Sequence, residues 1–136
     1  MPNRRLATIA AVSAFLLASL LPGPAICGDA PPQVKAIVRV WRGYVLSSDA
    51  VAYFIYIRDN GTEKIKKIPG NLGVEMFSRA ENGKTEFVVI SYWSSPAAIQ
   101  NFTGPDWEKV KALPDDPKYL IPPAATVTHY EVLVPR

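Results

Sequence analysis

Cysteine and histidine are almost absent from this chain of 136 residues, since Cys27 is the only cysteine and His129 the only histidine. A single cysteine excludes an internal disulfide, and a histidine without a second Cys or His excludes the usual zinc sites. The chain also lacks a nucleotide-binding or phosphate-binding glycine motif and a nucleophile motif. Disulfide-stabilised folds, zinc sites and nucleotide-driven chemistry are therefore not predicted.

No apolar stretch has the length expected of a membrane-spanning helix. The longest, from Leu6 to Leu21, has 16 residues, whereas a spanning helix needs about 20. It follows Arg4 and Arg5 and ends at a Pro-Gly-Pro sequence. A basic start, an apolar run and a helix breaker in this order are typical of a secretory signal, so we expect export rather than an uncleaved anchor.

Small residues at the third and first positions before a cut favour signal cleavage, and Ala25 and Cys27 hold these positions ahead of Gly28. We therefore predict that residues 1–27 are a signal peptide and that residues 28–136 are the mature domain, periplasmic or secreted. A twin-arginine signal is disfavoured because the residues after the two arginines lack a bulky apolar pair. A lipid on Cys27 is disfavoured because Ile26 precedes it.

Positive charge is in small excess in the mature domain. Without Arg4 and Arg5 it has 13 basic and 12 acidic residues, a net charge of +1. Nucleic-acid binding requires a clustered basic face. The densest basic group, Lys64, Lys66 and Lys67, is typical of the solvated side of a helix. We expect no nucleic-acid partner and no stable membrane insertion after cleavage.

Strand and helix signals alternate along the mature domain. Val- and Ile-rich segments predict strands, Ser-Pro and Ser-Asp sequences predict helix starts, and Asn82-Gly83 predicts a type I′ hairpin turn. The predicted order is strand Val34–Arg42, helix Val51–Ile57 capped by Ser47, Ser48 or Asp49, an interruption at Asn60-Gly61, helical turns over Thr62–Ile68, strands Asn71–Ala80 and Thr85–Trp93, helix Ser95–Phe102, and strand Ala125–Val134.

This order predicts an α+β fold, the ferredoxin-like βαββαβ arrangement, with a four-stranded antiparallel sheet that carries its helices on one face. Leu72, Val74 and Met76 form an apolar side that two short helices cannot wholly cover. We therefore expect a homodimer in which two sheets pack face to face.

The segment from Pro105 to Pro123 contains five prolines, and we expect at most a turn or two of helix in it, near Trp107 to Leu113. Such a long connection in a compact domain is usually functional or disordered. We expect this segment to form a lid or wall.

Four segments carry a resemblance to a known family. They are Arg39-Val40-Trp41-Arg42-Gly43, Pro69-Gly70-Asn71-Leu72-Gly73, Ser91-Tyr92-Trp93-Ser94-Ser95-Pro96-Ala97-Ala98-Ile99 and His129-Tyr130-Glu131-Val132. In this order and spacing the chain resembles the antibiotic biosynthesis monooxygenase family from Ile37 to Val132. The resemblance implies a dimeric α/β barrel. The same fold also hosts haem degraders, isomerases and proteins with no known reaction.

The resemblance further implies a cofactor-independent oxygenation, in which an electron-rich phenol, quinol or anthrone-like substrate loses a proton and reacts directly with molecular oxygen. Such a site needs an apolar pocket with a few hydrogen-bond donors. By residue type and predicted side, the pocket candidates are Trp41, Tyr53, Trp93 and Phe102, and the catalytic candidates are His129, Arg39 and Tyr130.

Each candidate also has a structural interpretation. The aromatic residues suit a hydrophobic core, and a lone strand histidine is often a hydrogen-bonding residue, although a pKa of about 6.5 suits His129 to proton transfer. Arg39 lies in an apolar strand, so it needs a partner such as Glu131 if it is buried and otherwise faces water.

Two alternatives to an oxygenase stay open. The haem-degrading branch has an asparagine on the first strand and a tryptophan and a histidine on the second helix. Here Val38 to Arg42 has no Asn, Phe102 stands where the tryptophan is expected, and that helix has no His. Haem degradation is therefore disfavoured, and haem binding without turnover is left open. The second alternative is a noncatalytic small-molecule-binding or stress-associated domain. The predicted export favours this alternative, because the resemblance implies that cofactor-independent oxygenases of this kind usually serve biosynthesis in the cytoplasm.

Overall fold

The computed structural model describes residues 36–133, so the predicted signal peptide and its cleavage site lie outside the described residues. The elements are β1 (Ile37–Leu46), α1 (Ala50–Ile57), α2 (Glu63–Ile65), β2 (Asn71–Glu81), β3 (Lys84–Trp93), α3 (Pro96–Thr103), α4 (Asp116–Tyr119) and β4 (Leu120–Glu131). In this part of the chain no helix is both long enough and apolar enough to cross a membrane.

The four strands form one antiparallel sheet in the order β2-β3-β1-β4. This is the ferredoxin-like arrangement, so the predicted fold class is confirmed. The central strand β1 places Arg39 opposite Ser91 of β3 and opposite His129 of β4. Because side chains alternate between the two faces of a sheet, these three residues share one face.

Two clusters of buried side chains fill the space between that face and the helices. The first joins α1 to the sheet through Tyr53, Ile57, Val45, Phe87 and Val89. The second lies under α3 and consists of Ile65, Trp93, Ala98 and Ile99. Burying one such large apolar side chain stabilises the fold by about 1.5–3 kcal/mol. The two clusters therefore fix α1 and α3 on the sheet, which leaves the cavity described below between them.

Local turn signals in the sequence have the predicted outcome. Asn82 and Gly83 both have positive φ, 51° and 76°, and join β2 to β3. Ser95 caps α3 by accepting a hydrogen bond from the backbone N–H of Ala98 at 3.1 Å. Gly104 ends that helix with a φ of 82°. Each of these features depends only on neighbouring residues.

The start of the first helix differs from the prediction. Ser47 to Asp49 form a 3₁₀ turn, and no side chain among them caps α1. The Ser47 hydroxyl instead lies 3.0 Å from the hydroxyl of Thr85 on β3. A long-range hydrogen bond thus takes the side chain that a local cap would have used.

The first strand does not end at Arg42, as the glycine after it suggested, but continues to Leu46. A Cβ atom on Gly43 would lie 2.4 Å from ring atom Cη2 of Trp41. The glycine therefore makes room for the indole ring, at a point where the register with β4 shifts between Arg42 and Tyr44. Its role is close packing within the strand.

The last strand begins at Leu120, five residues before the predicted start at Ala125. It includes Pro122 and Pro123, and it is an edge strand paired only with β1, where a missing backbone N–H is tolerated. Near Trp107 to Leu113, where at most a turn or two of helix was predicted, the structure has one turn in which the backbone N–H of Lys109 donates to the backbone oxygen of Asp106 at 3.0 Å. The helix of this region is α4, which begins at Asp116.

The sheet face that points away from the helices is here called the outer face. The assignment of Val74 and Met76 to an uncovered apolar side was wrong, because both pack against the first core cluster. The alternation and register place other apolar residues on the outer face: Val38, Val40, Phe77, Val88, Ile90 and Tyr130. Within residues 36–133, the helices that supply residues to the two core clusters all pack on the opposite face of the sheet.

Candidate active site

A cavity of about 50 Å³ lies between the helix-facing side of the sheet, α1 and the segment of residues 105–119, here called the wall segment. Its lining is mainly apolar and aromatic. It consists of Arg39, Trp41, Tyr53, Ile57, Gly61, Thr62, Ile65, Val89, Ser91, Phe102, Lys111, Leu113 and Asp116.

The sheet contributes to the cavity through alternate residues of its two central strands. Arg39 and Trp41 come from β1, and Val89 and Ser91 come from β3. The buried Ser91 hydroxyl accepts a hydrogen bond of 2.8 Å from the Trp93 indole N–H and donates one of 3.4 Å to the backbone oxygen of Arg39. These hydrogen bonds connect β1 and β3 at the floor of the cavity.

A π-helical turn over Arg58–Thr62 separates α1 from α2 and lines the cavity with Gly61 and Thr62. The predicted interruption at Asn60-Gly61 falls inside this turn. A Cβ atom on Gly61 would lie 3.5 Å from both Ile57 and Leu113, which is ordinary contact. π-helical turns within helices often occur at functional sites.

Arg39 is the buried cation of the site, with 3% of its surface exposed. Its Nη1 donates to the backbone oxygen of Trp107 and lies 2.8 Å from Nε2 of His129. Its Nη2 donates to the backbone oxygen of Lys109 at 2.8 Å. Burial lowers the pKa of Arg39 to about 10, so the guanidinium keeps its proton at neutral pH.

Arg39 thus has a different partner from the expected Glu131. In the observed register Glu131 lies opposite Ile37, two residues away, and it is exposed. A guanidinium has five N–H groups, of which three have acceptors among the described residues. Arg39 also lines the cavity, and two of its N–H groups have no acceptor among the described residues.

His129 lies behind Arg39 and is not part of the cavity lining. An arginine only donates hydrogen bonds, so Nε2 of His129 is the acceptor and the neutral ring carries its proton on Nδ1. Burial, and then the charge of Arg39, lower the pKa of His129, while Glu108 has a smaller opposing effect. The Trp107 ring packs edge-on against the imidazole at a centroid distance of 4.5 Å.

Tyr53 and Asp116 join α1 to the wall segment. The buried Tyr53 hydroxyl donates to Oδ1 of Asp116 at 3.0 Å, and Oδ2 accepts the backbone N–H of Leu113 at 2.7 Å. Burial, followed by the charge of Asp116, raises the pKa of Tyr53 far above its usual range. Tyr53 is therefore a neutral hydrogen-bond donor at any ordinary pH.

The wall segment is attached to the rest of the domain at two places. Arg39 holds the backbone at Trp107 and Lys109, and Tyr53 holds Asp116. The Tyr56 hydroxyl adds a fourth hydrogen bond, next to that of Tyr53, by accepting the backbone N–H of Asp115 at 2.8 Å. The predicted lid or wall region therefore does border the cavity.

The structure brings some of the predicted site residues together and separates others. Trp41, Tyr53, Phe102 and Arg39 line the cavity, and His129 lies next to Arg39. Trp93 is fully buried behind it, with its ring stacked on Phe102 at a centroid distance of 6.2 Å. Tyr130 is 55% exposed on the outer face, away from the cavity.

Sequence reasoning missed several lining residues, above all Asp116, Ser91 and Leu113. The Asp115-Asp116-Pro117 sequence was a usable signal, because an acidic residue before proline favours a helix start. Nothing local in the sequence indicates that Asp116 meets Tyr53. In the described residues no group of three or more His, Cys, Asp or Glu side chains is arranged to hold a metal ion.

Comparison with known proteins gives the family. The sequence model described as antibiotic biosynthesis monooxygenase matches residues 38–107, whereas no curated protein matches the chain. A candidate antibiotic biosynthesis monooxygenase from Nitrosomonas europaea has a similar structure, with a TM-score of 0.61 and 17% identity over 76% of this chain and 95% of its own.

Two further solved structures are similar in fold. SnoaB, a cofactor-independent oxygenase from Streptomyces nogalater, has a TM-score of 0.51 and 14% identity, covering 72% of this chain and 93% of its own. A variant of MhuD with two manganese protoporphyrin IX molecules bound per active site has a TM-score of 0.52 and 19% identity, covering 74% and 97%. At these identities the neighbours show the fold alone. The family match shows that the chain belongs to the antibiotic biosynthesis monooxygenase family.

Proposed function

We propose that this chain is an exported, cofactor-independent monooxygenase that oxidises a small aromatic compound of the phenol, quinol or anthrone type in the cavity beside Arg39. The observation that supports this function is a mainly apolar cavity with one buried guanidinium that has N–H groups to spare. Such a site suits a planar apolar body with one oxygen that becomes negative.

The reaction needs only the substrate and molecular oxygen. In an anthrone-type substrate both C–H bonds of a ring CH₂ group break and a C=O bond forms. One atom of O₂ enters the product, and the other leaves as water with the two hydrogens of the CH₂ group. The substrate itself supplies all the electrons that reduce O₂.

Arg39 has the clearest role in this chemistry. A phenolate or enolate is far easier to oxidise than its neutral parent, and a preorganised donor in a site of low polarity stabilises the anion more strongly than water does. Ser91 and Trp93 fix the strand that carries Arg39. The apolar lining, including Trp41 and Phe102, keeps water away from the reacting carbon.

The size of the cavity implies that the wall segment moves when substrate enters. A dry cavity of about 150 Å³ binds benzene, whereas this one has about 50 Å³. The strands and α1 supply the fully buried residues of the first core cluster. The wall segment adds only partly buried side chains to the two clusters, Trp107, Leu113 and Tyr119, beside the hydrogen bonds from Arg39, Tyr53 and Tyr56. The wall segment is therefore the part that opens.

A second candidate function is a noncatalytic binding domain. It is favoured by the hydrogen bonds of the two possible bases: Nε2 of His129 already accepts from Arg39, and each oxygen of Asp116 already accepts one hydrogen bond. Oxygen consumption by the purified mature domain with a panel of phenols, quinols and anthrones separates the two functions. Uptake with at least one compound supports the oxygenase, and tight binding without uptake supports the binding domain.

Export and dimerisation are part of the proposal. The basic and apolar N-terminal sequence supports cleavage before Gly28, and N-terminal sequencing of protein recovered outside the cytoplasm tests it. A retained Met1 or a lipid on Cys27 would contradict cleavage. The apolar outer face supports a homodimer in which two sheets pack together.

A further inference from the structure

The buried charge of Arg39 has no carboxylate partner among residues 36–133. The ion pairs in this part of the chain all join side chains at the surface, such as Arg42 with Glu86, and none includes Arg39. Its observed partners are two backbone oxygens and a neutral imidazole. A buried charge without a counter-charge is costly, and a bound anion would remove that cost.

The other charged groups of the lining do not supply the missing negative charge. Asp116 is 4% exposed, and its two oxygens are engaged by Tyr53 and by the backbone of Leu113. Lys111, an exposed residue, adds a second positive charge to the lining. With Arg39, Lys111 and Asp116 ionised, the lining carries a net charge of +1.

The described lining has no histidine, and its one carboxylate, Asp116, already accepts a hydrogen bond at each oxygen. Tyr53 is a donor to Asp116, and Lys111 is a cation. The acceptor nitrogen of His129 is taken by Arg39, and Glu108 is exposed and outside the lining. A substrate that has to be deprotonated by the protein therefore finds no base in the cavity except Asp116, whose oxygens are held by Tyr53 and by the backbone of Leu113.

From this we propose that the cavity selects ligands that are already anionic: planar aromatic compounds with one ionised hydroxyl or carboxylate, whose negative oxygen binds the free N–H groups of Arg39. The inference rests on the proposed function and names its substrate class, namely acidic phenols and enols that ionise near neutral pH. Neutral aromatic compounds of the same shape bind weakly, because they leave the Arg39 charge uncompensated.

A matched pair of probes tests this selectivity without any turnover. 4-Nitrophenol ionises near neutral pH with a change of colour, whereas 4-nitroanisole has the same aromatic body and cannot ionise. We expect 4-nitrophenolate to bind at least about tenfold more tightly than 4-nitroanisole. We also expect the bound phenol to remain a coloured anion at a lower pH than the free phenol, because the charge of Arg39 stabilises the anion. Anaerobic titration, followed by calorimetry and by the absorbance of the bound probe, measures both quantities.

Two arginines of β1 provide the variant and its control. Arg39→Gln should remove the preference for the anion, whereas Arg42→Gln, on the outer face, should retain it. If Arg39→Gln does not fold, the comparison of the two probes on the wild-type domain decides alone. Equal affinity for 4-nitrophenolate and 4-nitroanisole, or no binding of 4-nitrophenolate at millimolar concentration, would overturn the inference.

The result is distinguishable from a failure of the proposed function. Selective anion binding without oxygen uptake for any compound would leave this inference standing and remove the oxygenase. Oxygen uptake with compounds that cannot ionise, at rates equal to those with acidic phenols, would retain the oxygenase and overturn the selectivity for anions.

Discussion

Arg39 and His129 lie opposite each other on neighbouring antiparallel strands, with Nη1 of the arginine 2.8 Å from Nε2 of the imidazole. A permanent cation and a titratable ring share one hydrogen bond, which exists only while the ring is neutral. Protonation of His129 would replace this hydrogen bond by repulsion between two cations.

The stability of the domain should therefore depend on pH through His129. Its pKa is lowered in the folded domain, so between that value and about 6.5 the unfolded chain binds more protons than the folded one. Stability is then fully present above about pH 6.5 and is lost as the pH falls through the folded pKa. We expect His129→Gln, which keeps an acceptor for Arg39, to show a smaller drop in Tm between pH 7 and pH 5. Parallel curves for variant and wild type would contradict this role.

The hydrogen bond between Tyr53 and Asp116 should contribute strongly to stability. Tyr53→Phe leaves a buried carboxylate oxygen without its donor, which costs about 1–3 kcal/mol. Tyr119→Phe is the matched control, because Tyr119 packs on Tyr53 at a centroid distance of 5.3 Å and its hydroxyl has no hydrogen bond within residues 36–133. Urea denaturation of the three proteins measures the difference. Equal losses in the two variants would show that removal of a hydroxyl as such, not the loss of the hydrogen bond to Asp116, explains the effect.

These long-range contacts mark the limit of sequence-based prediction. The hairpin at Asn82-Gly83 and the cap at Ser95 were predictable because their geometry depends on adjacent residues. The partner of Arg39 was not, since a difference of two residues in the register of β4 replaces Glu131 by His129. That register follows a shift beside Gly43, whose packing against Trp41 has no local signal.

The candidate site was predictable only in part for the same reason. Residue type identified Trp41, Tyr53 and Phe102 as aromatic groups suited to a pocket, but it gave no information on Asp116, which reaches α1 from 63 positions along the chain. Tyr130 was chosen as a candidate by its residue type. Because it is adjacent to His129 on the same strand, its side chain points to the opposite face of the sheet, away from the cavity.

Filling the cavity should reduce ligand binding without harming the fold. Gly61→Ala adds a methyl group at ordinary contact distance from Ile57 and Leu113, inside the lining. Replacing a helical glycine by alanine stabilises by up to about 1 kcal/mol. We expect an unchanged or higher Tm together with weaker binding, most clearly for the largest ligands. A variant that binds every ligand as tightly as the wild type would place the ligand elsewhere.

The outer face should hold two copies of the chain together. Phe77 is 51% exposed on this face, so Phe77→Glu should convert a dimer into a monomer in light scattering. Val51→Glu provides the control, since Val51 is 73% exposed on α1, on the other side of the sheet. A wild-type domain that is monomeric at micromolar concentration would contradict the dimer before any variant is made.

The central claim is that Arg39 stabilises an anionic substrate while O₂ oxidises it, and isotope incorporation tests it most directly. The mature domain is incubated with ¹⁸O₂ and the aromatic compound that supports the fastest oxygen uptake, and the product is analysed by mass spectrometry. We predict one ¹⁸O atom per product molecule, a loss of rate of about 10²–10³ in Arg39→Gln, and full activity in Arg42→Gln. Product without ¹⁸O, or a rate that is the same in Arg39→Gln as in the wild type, would contradict the account.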